Sequence, residues 1–128
     1  MTLSLAQATD WLTRYGRAWI EQSPEQAAAL FTEDCRYFET PFDAPAIGRE
    51  GVRAYWQAVP DAQRDIEFVY RVLSIDGCTA IAHWHAIFTR VASGERVQLD
   101  GVFVLEFADS GLCHTLREWW HRQVQPGQ

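Results

Sequence analysis

A chain of 128 residues with 17 acidic and 11 basic side chains carries a formal charge of −6, and no Lys/Arg cluster stands out that could neutralise phosphates. That balance argues against a nucleic-acid or anionic-membrane partner. Length suits a single domain, residues 1–124 ahead of a polar tail at 125–128, large enough to bury roughly two-thirds of its unfolded surface without staples.

Ser4 followed by Gln7 is a capping-box pattern, and Leu5, Ala8, Leu12, Tyr15 and Trp19 recur at helical spacing, which predicts a first helix to about Gln22. Ser23 and Pro24 repeat the start signal for a short second helix carrying Ala27, Ala28, Leu30 and Phe31 and ending near Glu33. Cys35 to Glu39 reads as a short aromatic strand. The prolines at 41 and 45 then force a loop. Val52, Tyr55, Trp56 and Val59 share one face of a third helix over about 49–58, which Pro60 stops.

After Asp65 the period changes to two. Ile66 to Leu73, Thr79 to Val91, and the stretch 96–122 read as strands joined at Asp76-Gly77, Ser93-Gly94 and Asp109-Ser110-Gly111. The result is an α+β fold: three N-terminal helices packed on a curved antiparallel sheet, a four-stranded meander plus one short strand. Cys35, Cys78 and Cys113 are odd in number and form no Cys-x-x-Cys, and no stretch offers a basic leader or ~20 apolar residues. Reduced thiols and a cytoplasmic location are the expectation.

Three motifs in this order, Phe31-Thr-Glu-Asp-Cys-Arg-Tyr-Phe, Pro41-Phe-Asp-Ala-Pro-Ala-Ile-Gly-Arg-Glu, and Leu99-Asp-Gly-Val-Phe-Val-Leu-Glu-Phe leading into Leu116-Arg-Glu-Trp-Trp, resemble the SnoaL-like members of the nuclear transport factor 2-like (cystatin-like) superfamily. The resemblance implies a sheet wrapped into a cone, a deep pocket closed by the first and third helices, and often a dimer through the convex face. Ketosteroid isomerases are similar members. Their pattern implies an oxyanion donor at Tyr15 and a base at Glu39 or Thr40, but places Phe103 where they carry a second, carboxylic donor.

On the same pattern the concave side holds Trp84, Ala86 and Phe88, then Leu99, Gly101, Phe103 and Leu105, then His114, Leu116, Glu118 and Trp120, with Ala86 opposite Gly101 unless a bulge intervenes. Tyr15, Glu118 and Glu39 are the candidate catalytic residues. Trp19, Phe38, Trp56, Trp84, Phe88, Phe103, Leu116 and Trp120 are the candidate ligand-binding wall. Among aromatic rings Glu118 would lose hydration, so its carboxyl would stay neutral and could donate a proton, unless it pairs with an arginine such as Arg53 or Arg117 or reaches water at the mouth of the cone. His83 and His85 share a strand face, but His121 and Cys113 lie about 10 Å away across an intervening strand, which argues against a metal. Asp100 should make a structural hydrogen bond on the convex face, where Ile81, Ile87, Val102, Val104 and Trp119 suggest a homodimer.

Two functions fit this reading. One is an enzyme using cofactor-free general acid/base chemistry on a small, largely apolar molecule, of isomerase, cyclase, dehydratase or hydrolase type. The other is a non-catalytic ligand-binding or dimeric assembly module.

Overall fold

The computed structural model describes residues 2–126. Helix α1 (Leu5–Ile20) starts at the expected capping box: the Gln7 amide donates to Ser4 Oγ, and the Gln7 side chain accepts from the Ser4 amide. It buries Ala8, Trp11, Leu12, Tyr15, Ala18 and Trp19. Ser23 caps α2 (Pro24–Ala28) by accepting the Gln26 amide at 3.1 Å. Here the sequence reading needs correcting, because Phe31 belongs to a strand. Once α2 has closed its single turn, Asp34 and Arg36 alternate with Cys35 and Tyr37, a period that only a strand satisfies, and β1 runs Phe31–Phe38.

A two-residue strand β2 (Ala46–Ile47) leads into α3 (Gly48–Trp56). Proline 60 does not simply stop that helix. It opens a short fourth helix, α4 (Val59–Ala62), from a position where a missing amide costs nothing. Four long strands come next: β3 (Gln63–Asp76), β4 (Thr79–Arg90), β5 (Arg96–Phe107) and β6 (Cys113–Gln125). The last runs through Gln125, which pairs with Arg96, so part of the expected polar tail is sheet.

The six strands form one curved sheet in the order β2-β1-β6-β5-β4-β3. It is mixed rather than antiparallel throughout, because β1 lies parallel to β6, with Tyr37 beside Leu116. The meander closes onto the first strand only by bringing β6 alongside it in the same direction. Two irregularities bend β3, one at Arg64/Glu67 and one at Val72/Ser74, and at the first Asp65 adopts a left-handed φ of 52°. Arg96 pins that bulge by donating to the Asp65 carbonyl at 2.7 Å and pairing with Glu67 at 2.9 Å.

Register, more than strand order, decides which side chains reach the inside of the cone. Trp84, not Ala86, lies opposite Gly101, two residues from the expected pairing, because β4 ends at Arg90 and the connection to β5 is longer than the Ser93-Gly94 pair alone. A Cβ on Gly101 would sit 2.5 Å from the Trp119 carbonyl and 2.8 Å from Trp120 Cβ, so only glycine fits under this bend. A further irregularity, between Glu106 and Phe107, reverses the facing of the first residues of β6. It turns His114 outward and Cys113 into the core, both opposite to the expected sides.

The core fills the narrow end of the cone. Phe103 stacks on Trp84 at 5.0 Å and meets Tyr15 edge-on at 5.3 Å, while Trp11 meets Phe31 and Phe107 edge-on at 5.6 Å. No helix among the described residues is long and apolar enough to cross a membrane.

Candidate functional site

The wide end of the cone is not filled. A cavity of about 280 Å³ opens between α1, α3, α4 and the concave sheet, near the lower bound of ordinary ligand sites. Alternation along β6 aims Glu118, Trp120 and Arg122 into it, and alternation along β4 aims Trp84, Phe88 and Arg90. From the helices come Tyr15, Trp19 and Trp56.

All three candidate catalytic residues, Tyr15, Glu118 and Glu39, therefore line one cavity. Of the candidate wall, Trp19, Trp56, Trp84, Phe88 and Trp120 line it as well. Three do not. Phe103 and Leu116 are fully buried one layer deeper, in the packed core. Phe38 points away, because Tyr37 takes the inward position on β1, and Phe38 lies 4.3 Å beneath the Arg117 guanidinium.

Tyr37 is the residue that sequence reasoning missed. Its hydroxyl lies 2.8 Å from that of Tyr15, and both rings are buried. The signal was present: Arg36 must face water, so its neighbours on either side face in. Tyr55 on α3 packs over Tyr37 with ring centroids 5.0 Å apart. Burial, and secondarily the charge that Glu118 acquires once it ionises, holds the Tyr15 phenol protonated far above its ordinary range, and burial does the same for Tyr37. Two hydroxyls sharing one hydrogen bond leave a second hydrogen to donate elsewhere.

Glu118 is 6 % exposed and sits opposite Phe103 in the sheet. Among the described residues it forms no ion pair; Arg53 pairs with Glu25 and Glu50 instead, and Arg117 lies outside on Phe38. Burial, and secondarily the Glu39 carboxylate, pushes the Glu118 carboxyl well above the usual range. A neutral acid that can give up a proton results. Glu39 is half-buried at the end of β1, and its carbonyl accepts the Trp120 indole N–H at 3.2 Å. A second, more open groove of about 640 Å³, flanked by Phe42 and Trp119, reaches the same two carboxyl groups from the outer side of β6.

Indole nitrogens divide along the cavity. Trp19 Nε1 donates to Gln63 Oε1 at 2.8 Å, whereas Trp56 Nε1 and Trp84 Nε1 are buried with no acceptor. Buried donors are nearly always satisfied, so these two are exceptions among the side chains that line the cavity.

The outer face of β4 and β5 is arranged differently. His83 Nε2–H and His85 Nδ1–H donate to the two oxygens of Asp100 at 2.9 and 3.1 Å, which holds that carboxyl below its ordinary value, the His83 bond contributing most. This matches the structural role expected of Asp100. No cluster of three or more His, Cys, Asp or Glu among the described residues could hold a metal ion.

The model of the SnoaL-like domain matches residues 12–114, and the chain belongs to that family. Its fold is similar to the delta 5-3-ketosteroid isomerase from Mycobacterium sp., with a TM-score of 0.78, 16 % identity, and 93 % of this chain covering 98 % of that one. It is similar also to the epoxide hydrolase/cyclase-like enzyme SalBIII of pyran ring formation in salinomycin, with a TM-score of 0.80, 18 % identity, and 94 % of this chain on 97 % of that one. A computationally designed 17-OHP binder matches with a TM-score of 0.77 and 19 % identity, over 93 % of this chain and 97 % of that one. Among curated proteins none matches in sequence. At these identities the likeness establishes the nuclear transport factor 2-like fold.

Proposed function

We propose that this protein binds a small, flat, largely apolar molecule in the cone cavity and moves a proton on it by cofactor-free acid/base chemistry, of isomerase, cyclase, dehydratase or hydrolase type. One observation carries the reading: Glu118, a buried carboxyl without an ion pair, lines the same cavity as the hydrogen-bonded Tyr15–Tyr37 hydroxyls. A carboxyl buried without a cationic partner costs stability that a purely structural role would not require. In this scheme the tyrosine pair donates to a ligand oxygen as negative charge develops on it, neutral Glu118 supplies a proton, and Glu39 at the loop end accepts one.

A second reading, a carrier without turnover, draws support from Phe103. Where the isomerase pattern expects a second carboxylic donor, this chain has a fully buried ring. The two readings part on one experiment. Incubation with a panel of flat, enolisable aryl ketones in D2O, followed by NMR, reports α-proton exchange. Catalysis predicts exchange above the buffer rate that falls about 10²-fold or more in Glu118→Gln and Tyr15→Phe. Ketones that bind without accelerated exchange would establish the carrier.

Two further expectations belong to this proposal. A homodimer through the convex face would cover Trp119 and Val69, 47 % and 62 % exposed, and the half-buried Val102 between the strands that carry them. Sedimentation of the purified protein tests it. A cytoplasmic setting suits three free cysteines, of which Cys78 is exposed.

A further inference from the structure

The cavity is electrically polarised along β6. Glu118, Trp120 and Arg122 follow one another on its inward face, so the step from a neutral acid to a cation spans four residues, about 13 Å of strand. Arg90, paired across β3 with Gln63, joins Arg122 at the far end. Two guanidiniums thus converge on one rim of a protein whose formal charge is −6.

Their local compensation is incomplete. Glu95 pairs with Arg90 at 2.9 Å, and the charges of both arginines help hold its carboxyl below the ordinary range, after its hydrogen bonds from Ser93 and Arg90. Arg122 itself has no hydrogen bond or ion pair among the described residues, although its register partner, Leu99, is an apolar residue of the cavity wall. At the exposed rim of the cavity, with neither hydrogen bond nor ion pair, its guanidinium is free to take an oxyanion. Gln63 favours an acceptor as well, because its oxygen is already taken by Trp19 and only its nitrogen is left to donate.

We propose that the ligand is an anion: a flat, largely apolar carboxylate that lies along β6 with its acid group on Arg122 at the rim and a carbonyl oxygen directed toward Tyr15 and Glu118. The inference rests on the cavity being a ligand site, as proposed above, and adds its chemical class. Length supports it, since a fused bicyclic acid bearing a carbonyl at its opposite end is commensurate with the distance from Glu118 to Arg122. Arg122 is here a binding residue, remote from the reacting atoms.

Calorimetric titration with 6-acetyl-2-naphthoate and with its methyl ester isolates the charge, because the two probes share shape and carbonyl. The acid should bind at least tenfold more tightly than the ester. Arg122→Gln should abolish that preference by weakening the acid alone, while Arg71→Gln, on the exposed outer face of β3, should leave it intact. The Arg122 side chain is exposed and makes no hydrogen bond or ion pair among the described residues, so the variant should keep the wild-type melting temperature. Equal affinity for acid and ester, or a preference that survives in Arg122→Gln, overturns the anion assignment and leaves the pocket reading standing. Binding of neither probe to the wild type overturns both.

Discussion

Both ends of the cone are built from aromatic side chains, yet they differ in how their polar atoms are treated. At the narrow end, Trp11 Nε1 donates to the Leu30 carbonyl at 2.9 Å and the rings around it interlock edge-on. Toward the wide end, Trp56 keeps a buried N–H group without an acceptor, as does Trp84 where core meets cavity, and Glu118 is buried without an ion pair. Residue type is therefore a poor guide to role in this fold. What separates core from site is whether the polar parts of the buried residues are satisfied, because unsatisfied groups cost about 1–3 kcal/mol each and persist only where something else uses them.

The contrast can be broken most forcefully at the narrow end. Phe103→Ala removes a fully buried ring sandwiched between Trp84 and Tyr15, and should lower unfolding stability by about 3–5 kcal/mol in a denaturant titration. A much smaller loss would mean that the two ends are packed alike. Next in size is Gly101→Ala, which sets a methyl against the Trp119 backbone and the Trp120 side chain where core gives way to cavity. About 1–3 kcal/mol should be lost, with ligand affinity falling alongside because Trp120 must shift.

Glu118→Gln should have the smallest effect on folding, and one that depends on pH. The folded carboxyl has a raised pKa, so near the ordinary carboxyl range and below it the neutral side chain is no burden. As pH rises above that range the unfolded chain releases its proton while the folded chain retains it, and wild-type stability falls by up to ~1.4 kcal/mol per pH unit until the folded value is passed. Glu118→Gln should lose this slope, so that its melting temperature overtakes the wild type toward alkaline pH. Parallel pH curves for the two proteins would mean that Glu118 is solvated and belongs with the surface.

Local pattern was enough for much of this molecule. The capping box at Ser4, the helical stripe through Tyr15 and Trp19, and the alternation along β4, β5 and the body of β6 are set by neighbours in the chain, and they placed Tyr15, Glu118, Trp84, Phe88 and Trp120 on the correct side. The same alternation carried two steps further would have reached Arg90 and Arg122. Tertiary structure decided what depends on distant partners. β1 docked parallel on β6, the length of the β4–β5 connection put Trp84 rather than Ala86 over Gly101, and a bulge turned His114 out. How far the aromatic packing extends determined that Phe103 and Leu116 are core while Trp56 and Trp120 border open space. Side-chain direction repeats with the backbone and is written locally, but register, bulges and the depth of a cavity arise only when elements far apart in the chain compete for the same volume.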